Sequence, residues 1–332
     1  MLGGKFATGA GNLPSQSLCQ TTRLPFFTSH PILTMEQSTT ATAVYVVNVS
    51  LLIPIAVLSP VTVVANGLVL AAIWRTSTLR TPSYILLAGL AFTDFCTGLI
   101  SQPFFVANQM IYLVDPRLKS QNTTSWRKFY RTTKPIGHAL TTYFAQVTVS
   151  VITLMSIERW LIMTRRSWLT LRRICFIVVL LLFLMLPTAV YHYTNESQFG
   201  IVILLIICII VTSVSYFNVF RIICRHQQQI QANTLAQNIA QPAINLVKYK
   251  RSVCSILYII AIFYISYLPI LIPLIMSSFA LAHPDVELLS FNVSVLLVFL
   301  SSSLNPLIFL SRMKDLRDEV AKLLKRIFCK GN

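Results

Sequence analysis

Seven long apolar runs dominate this chain, at 44–73, 84–113, 134–163, 174–193, 201–224, 252–280 and 286–310. A helix that crosses the hydrocarbon core of a bilayer needs about 20 mostly apolar residues. In that medium every backbone N–H and C=O must be satisfied inside the protein, which makes the helix the spanning structure for runs of this length. The third and seventh runs also carry Ser, Thr, Asn, Gln or His, and such weaker spans face a bundle interior, where polar groups find partners. Charged residues are only 11% of the chain, against roughly 25% in an ordinary globular protein, too few to coat a water-facing surface. The 55% apolar content excludes a disordered chain. The expected fold is an all-α membrane protein, a seven-transmembrane helix bundle followed by a short amphipathic eighth helix.

The net charge of +17 would point to nucleic acid in a soluble protein. Here the basic residues fall between apolar runs and orient the chain, so membrane lipids and no nucleic acid are expected as partners. An odd number of spans puts the termini on opposite sides. Arg75, Arg80, Arg165, Arg166, Arg172, Arg173, Arg221, Arg225, Lys248, Lys250 and Arg251 share one side with a basic C-terminal segment. The positive-inside rule makes that side cytoplasmic and the N-terminus extracellular, at the plasma membrane. A second cluster, Arg117, Lys119, Arg127, Lys128, Arg131 and Lys134, runs against the rule and is placed in the loop between the second and third spans.

Sequons at Asn122 and Asn195 fall in loops assigned to the outside and are candidate glycosylation sites; those at Asn48 and Asn292 lie within or near the membrane and are discounted. Residues 1–43 are Ser/Thr-rich with Pro and read as a disordered extracellular tail without a signal-peptide pattern. Met35 is a candidate alternative start. The Gln/Asn-rich loop 225–250 is expected to extend the fifth and sixth helices inward. Residues 312–328 alternate an apolar face (Leu316, Val320, Leu323, Leu324, Ile327, Phe328) with Lys and Arg, the pattern of a helix lying in the interface. Cys329 at its end is a candidate palmitoylation site. The expected organisation is therefore 1–43 tail, 44–310 seven-helix domain, and 311–332 cytoplasmic helix and short tail.

Ionisable groups at membrane depth are expensive and are functional candidates by default. Asp94 lies in the second run and Glu158-Arg159 closes the third; Asn66 and Asn305 sit in the first and seventh.

These residues, taken in order, resemble the rhodopsin-like G-protein-coupled receptor family over 44–329. Asn66 in Ala-Asn-Gly-Leu-Val, Asp94 in Leu-Ala-Phe-Thr-Asp, Glu158-Arg159-Trp160, the set Phe263, Ser266, Tyr267 and Pro269, and Asn305-Pro306-Leu307-Ile308-Phe309 are similar to the family's motifs on helices one, two, three, six and seven. The resemblance implies a receptor that passes an extracellular ligand's binding to a heterotrimeric G protein. It implies an activation switch of Glu158, Arg159, Trp160, Tyr216, Phe263, Tyr267, Pro269, Asn305, Pro306 and Phe309. It also implies an allosteric sodium ion, and no other cofactor, at Asp94, Thr148, Ser302 and Asn305, with Asn66 nearby. Pro269 and Pro306 remove helical hydrogen bonds and allow hinges. The expected G-protein surface is Arg159, Arg165, Arg166, Arg221, Arg225, Lys250 and Arg251.

Several positions depart from the family pattern. Lys134 stands where the helix-three cysteine is expected, and the 194–200 loop has no cysteine. Tyr267 replaces the usual Trp, Phe309 the usual Tyr, and Cys208 the usual helix-five Pro; the acidic helix-six partner of Arg159 is missing. A weakened resting lock and measurable basal activity are expected. Thr141 takes the place of the aminergic Asp and Phe299 that of the retinal-binding Lys, which disfavours amines and retinal. The expected ligand pocket is Thr141, Thr142, Ala145, Gln146, Tyr267, Ile270, Leu271, Leu274 and Phe299, mostly apolar with a few polar groups. It suits a small non-aminergic molecule or a peptide side chain. An enzyme is not expected, because no nucleophile–base pair, phosphate loop or metal-ligand cluster is visible. The competing reading is a seven-helix ion channel or transporter with Asp94 in its pathway.

Overall fold

The computed structural model describes residues 31–114, 125–164, 170–195, 199–237, 261–279 and 284–328. The chain divides into two units, Met1–Thr42 and Ala43–Asn332, and the second holds the helix bundle. The elements are α1 (Pro31–Arg75), a 3₁₀ turn (Ser77–Leu79), α2 (Pro82–Cys96), a π turn (Thr97–Ser101), α3 (Gln102–Val114), α4 (Ser125–Met163), α5 (Leu171–Leu184), α6 (Leu186–Asn195) and α7 (Phe199–Gln237). Then come α8 (helical at 261–267), α9 (Leu271–Phe279), α10 (Pro284–Arg312) and α11 (Lys314–Phe328). No strand occurs among the described residues.

Six helices are long and apolar enough to cross a membrane: Tyr45–Arg75, Pro82–Leu113, Lys128–Met163, Leu171–Tyr191, Phe199–Arg225 and Val286–Arg312. Ala261–Ser277 is a shorter apolar helix; the rest of the expected 252–280 run falls mainly outside the described residues. Polarity and enclosure run together. Lys128–Met163 has the lowest mean hydropathy, 1.5, and its most apolar window is 56% buried, whereas Leu171–Tyr191 has 2.7 and is 17% buried. The exposed faces are apolar, as at Val57, Val61 and Val64 on α1 and Ile203, Ile207, Ile210 and Val214 on α7. Contiguous apolar faces of this extent suit lipid rather than water.

Proline sets the breaks. The second span loosens into the π turn immediately before Pro103, whose ring clashes with the carbonyl four residues back. The π turn presents Gly98, and Ser59 of α1 donates to its carbonyl at 2.8 Å. A Cβ at Gly98 would lie 2.9 Å from Thr62 Cβ, so only glycine permits this approach of α1. The fourth run splits into α5 and α6 at Met185, two residues before Pro187. The sixth breaks at 268–270 around Pro269, and Ser294 of α10 donates to the Pro269 carbonyl at 3.1 Å. α10, by contrast, runs uninterrupted through Pro306.

Two expected boundaries are corrected. α4 begins at Ser125, well before the expected start of the third run at Lys134, so Arg127, Lys128 and Arg131 sit on the helix and not in a loop; the Trp-Arg-Lys-Phe-Tyr-Arg stretch has no helix breaker until Pro135, which the helix absorbs. Asn195 is the last residue of α6 rather than a loop residue.

Hydrogen bonds fix the register. Ser83 pairs with Glu158, Thr93 with Thr148 and Asn108 with Thr133. Each step up the α2–α3 line matches an equal step down α4, so the two run antiparallel. Thr212 of α7 donates to Thr153 of α4 at 3.2 Å, and higher residue numbers on both helices lead toward the same end. α11 docks Leu316 and Val320, with Leu324 beside them, against Val69, Ala72 and Ile73 of α1, Leu79 of the 3₁₀ turn and Leu87 of α2. Ile327 of its expected apolar face remains exposed.

Candidate functional site

At the end of the bundle where α4 begins, a cavity of about 840 Å³ opens between α3, α4, α7, α9 and α10. Of the expected ligand residues, Thr141, Thr142, Ala145, Gln146, Tyr267, Ile270 and Leu274 line it. Two do not. Phe299 is 1% exposed and packs edge-on against Phe105 at 5.7 Å, in a core cluster with Leu52, Ile55 and Val295. Leu271, just past the Pro269 break, turns onto the central core instead. The sequence reading missed Gln109, Tyr130, Arg131, Lys134, His138, Glu287 and Phe291, all of which line the cavity. The signal was present: Arg131, Lys134, His138, Thr141, Thr142 and Ala145 follow helical three- and four-residue spacing on one face of α4. Assigning the basic cluster to a loop hid it.

Tyr267 closes the bottom of the cavity. It is 2% exposed, its hydroxyl has no hydrogen-bond partner among the described residues, and its ring packs on Phe263 at 5.4 Å. Gln146 accepts from Thr188 at 2.6 Å through Oε1, while its Nε2 is buried and unpartnered among the described residues. Thr141 Oγ1 is likewise unpartnered. Tyr264, one turn from Tyr267, is held by a hydroxyl–hydroxyl hydrogen bond to Ser213 of α7.

A buried polar region lies midway along the bundle. Asn305 Nδ2 donates to Asp94 Oδ2 at 2.7 Å, and both residues are buried. Thr148 donates to Thr93 at 3.1 Å rather than to Asp94. Asn66 Nδ2 donates to the Thr62 carbonyl at 2.9 Å and the Ser302 carbonyl at 3.2 Å. The second bond has a specific cause. Helical geometry assigns the Ser302 carbonyl to the N–H of residue 306, which is proline and has none. Asn66 supplies the missing donor, so the first- and seventh-run motifs are one structural unit. Thr62 also bonds to Ser303 at 2.6 Å.

Asp94 Oδ1 is buried without a hydrogen-bond partner among the described residues. With the Ser302 hydroxyl beside it, this hard anionic oxygen fits a small monovalent cation, while Asn305 turns its Nδ2 to Asp94 and Thr148 is held by Thr93. Among the described residues no group of three or more His, Cys, Asp or Glu could hold a metal ion.

At the far end of α4, Glu158 is 2% exposed and accepts a 2.5 Å hydrogen bond from Ser83. Arg159 Nε lies 3.7 Å from Glu158 Oε2, with the Arg159 side chain 46% exposed. This is a loose ion pair whose cation already faces outward. Tyr216 is buried on the neighbouring α7, Trp160 is half-buried, and Phe309 packs against both the central core and the α11 cluster. Arg221 and Arg225 are exposed at this end of α7. Arg165, Arg166, Lys250, Arg251, Asn122 and Cys329 lie outside the described residues. Asn48 and Asn292, the discounted sequons, are fully buried, and Asn292 donates to Asn48 at 2.7 Å.

No protein-family model matches the chain, and no curated protein matches it.

Proposed function

We propose that this chain is a rhodopsin-like G-protein-coupled receptor, a plasma-membrane protein of seven spans with its N-terminus outside, which converts occupancy of the α4–α10 cavity into activation of a heterotrimeric G protein. The observation that carries this reading is the continuity from cavity to far end. Tyr267 contacts the cavity immediately before the Pro269 break, and Phe263 and Tyr264 tie the same short helix to the core and to α7. A ligand that displaces Tyr267 acts on a helix already uncoupled from α9 at 268–270. Such a break can serve as a hinge, and a ligand with unequal affinity for two packings of it shifts the balance between them. The loose Glu158–Arg159 pair supports basal activity, because little has to be broken before Arg159 engages a partner.

In this reading Asp94, Ser302, Thr148 and Asn305 hold a sodium ion in the resting state. The ion would neutralise a carboxylate otherwise costly at membrane depth. Arg159, Arg165, Arg166, Arg221, Arg225, Lys250 and Arg251 form the coupling surface.

The test uses the purified full chain in nanodiscs with a panel of GDP-loaded heterotrimers. Acceleration of nucleotide exchange on at least one Gα, reduced to background by Arg159→Ala, is the expected result. Exchange at background for every Gα, together with ion flux in proteoliposomes that Asp94→Asn abolishes, would replace the receptor reading by the channel one.

A further inference from the structure

We infer that the cavity takes a long-chain amphiphile with an anionic head group, its head at Arg131 and Lys134 and its tail running down α4 toward Tyr267. This rests on the receptor reading only for its consequence, since binding itself can be measured without a G protein.

The cavity is polarised along its length. Arg131 and Lys134 line its mouth and are exposed, and neither makes an ion pair among the described residues. Lys134 instead lies 5.9 Å from the Tyr130 ring centroid. Among the described lining residues Glu287 is the one carboxylate, against the two cations Arg131 and Lys134. From Lys134 to Gln146 the helix rises about 18 Å, at 1.5 Å per residue. Along that length Phe105, Leu204, Leu205, Ile270, Val295 and Val298 supply an apolar side, beside the polar His138, Thr141 and Thr142 of α4. A tail of a dozen or more carbons is the chemistry that fills such a channel, and a volume of about 840 Å³ accommodates it.

The bottom is not wholly apolar. Gln146 is 4% exposed and Tyr267 2%, and each carries a buried polar atom that has no partner among the described residues. Orphaned donors this deep are costly unless an occupant or water meets them. Two mouth cations above a mixed but mainly apolar wall therefore favour an anionic amphiphile over a neutral one.

The experiment measures equilibrium binding of radiolabelled oleate and oleoyl-lysophosphatidate to the purified full chain in nanodiscs, with oleyl alcohol as the neutral competitor. At least one anion binds saturably, and the alcohol competes at least tenfold more weakly. The anion that binds tighter identifies a carboxylate or a phosphate head. Arg131→Gln/Lys134→Gln weakens binding at least tenfold, and raising the salt does the same in part, because both cations are solvent-exposed. Glu287→Gln acts the other way and tightens binding about threefold, which keeps the test meaningful should the double variant fold poorly. Equal binding of oleate and oleyl alcohol, no effect of Glu287→Gln with an intact double variant, saturable binding of an acidic peptide but of neither lipid, or no saturable lipid binding at all would overturn the inference. Anion binding without any G-protein response would leave it standing and count against the receptor reading; G-protein activation without anion binding would do the reverse.

Discussion

The bond from Asn66 to the Ser302 carbonyl makes a quantitative prediction, because its need arises from Pro306. Asn66→Leu keeps side-chain volume and removes both of its hydrogen bonds. The Thr62 carbonyl loses little, since the backbone N–H of residue 66 in the same helix still reaches it. The Ser302 carbonyl loses its side-chain donor and has no helical N–H to replace it. A buried orphaned carbonyl costs about 1–3 kcal/mol, while interhelical hydrogen bonds in membranes average about 0.6 kcal/mol and reach about 1.7. The expected destabilisation is therefore about 1–2 kcal/mol. Pro306→Ala restores an N–H four residues after Ser302 and makes Asn66 redundant for that carbonyl. In the Pro306→Ala background Asn66→Leu should cost under about 0.5 kcal/mol, giving a coupling of about 1 kcal/mol. Sodium dodecyl sulfate titration of the purified chain, followed by tryptophan fluorescence, reads all four corners of this cycle. Equal costs in the two backgrounds, within about 0.3 kcal/mol, would refute the reasoning.

Other contacts carry further expected outcomes. Gly98→Ala places a Cβ 2.9 Å from that of Thr62 and should destabilise by about 1–3 kcal/mol through overpacking; an unchanged titration midpoint would show that α1 can move away freely. Leu316→Ala empties a fully buried position and should cost about 2–5 kcal/mol locally, read as faster hydrogen exchange across α11 with α4 unaffected. Replacing sodium by N-methylglucamine should lower the thermal midpoint of the wild type and leave Asp94→Asn indifferent; an equal sodium effect in both would remove the ion from Asp94. Hydrogen bonds from Lys322 and then Thr76 hold the Glu319 carboxyl below its ordinary range. Its contribution to α11 docking is thus present above the unfolded carboxylate pKa and is lost as pH falls through the lower folded value. Hydrogen exchange at α11 should rise there in the wild type and show no such step in Glu319→Gln.

How much of this was legible in the sequence depended on the scale of the feature. Apolar run length located the six helices long enough to cross a membrane, since lipid imposes one length on every crossing helix. Asp94, Asn305 and Asn66 could be placed in one polar region because polar groups at membrane depth must meet each other. The partner of Asn66 could not: it is set by a proline four residues beyond Ser302 on another helix, and only packing reveals it. Phe299 and Leu271 were misplaced because helical spacing gives a face and not the rotation of that face against its neighbours, and the Pro269 break resets that rotation. Arg131 is expected in the loop and Lys134 at the very start of the third span, because charge usually marks a helix end. They sit instead at the mouth of a cavity, where a long basic side chain can extend to solvent while its helix continues.

The most direct measurement of the central claim is basal G-protein dissociation in cells, across a panel of Gα subunits, for the wild type and Arg159→Ala at matched surface expression. Dissociation above vector control for at least one Gα, and its loss in the variant, is the expected result. Signal at the vector level for every Gα, or a signal that Arg159→Ala leaves intact, would contradict it.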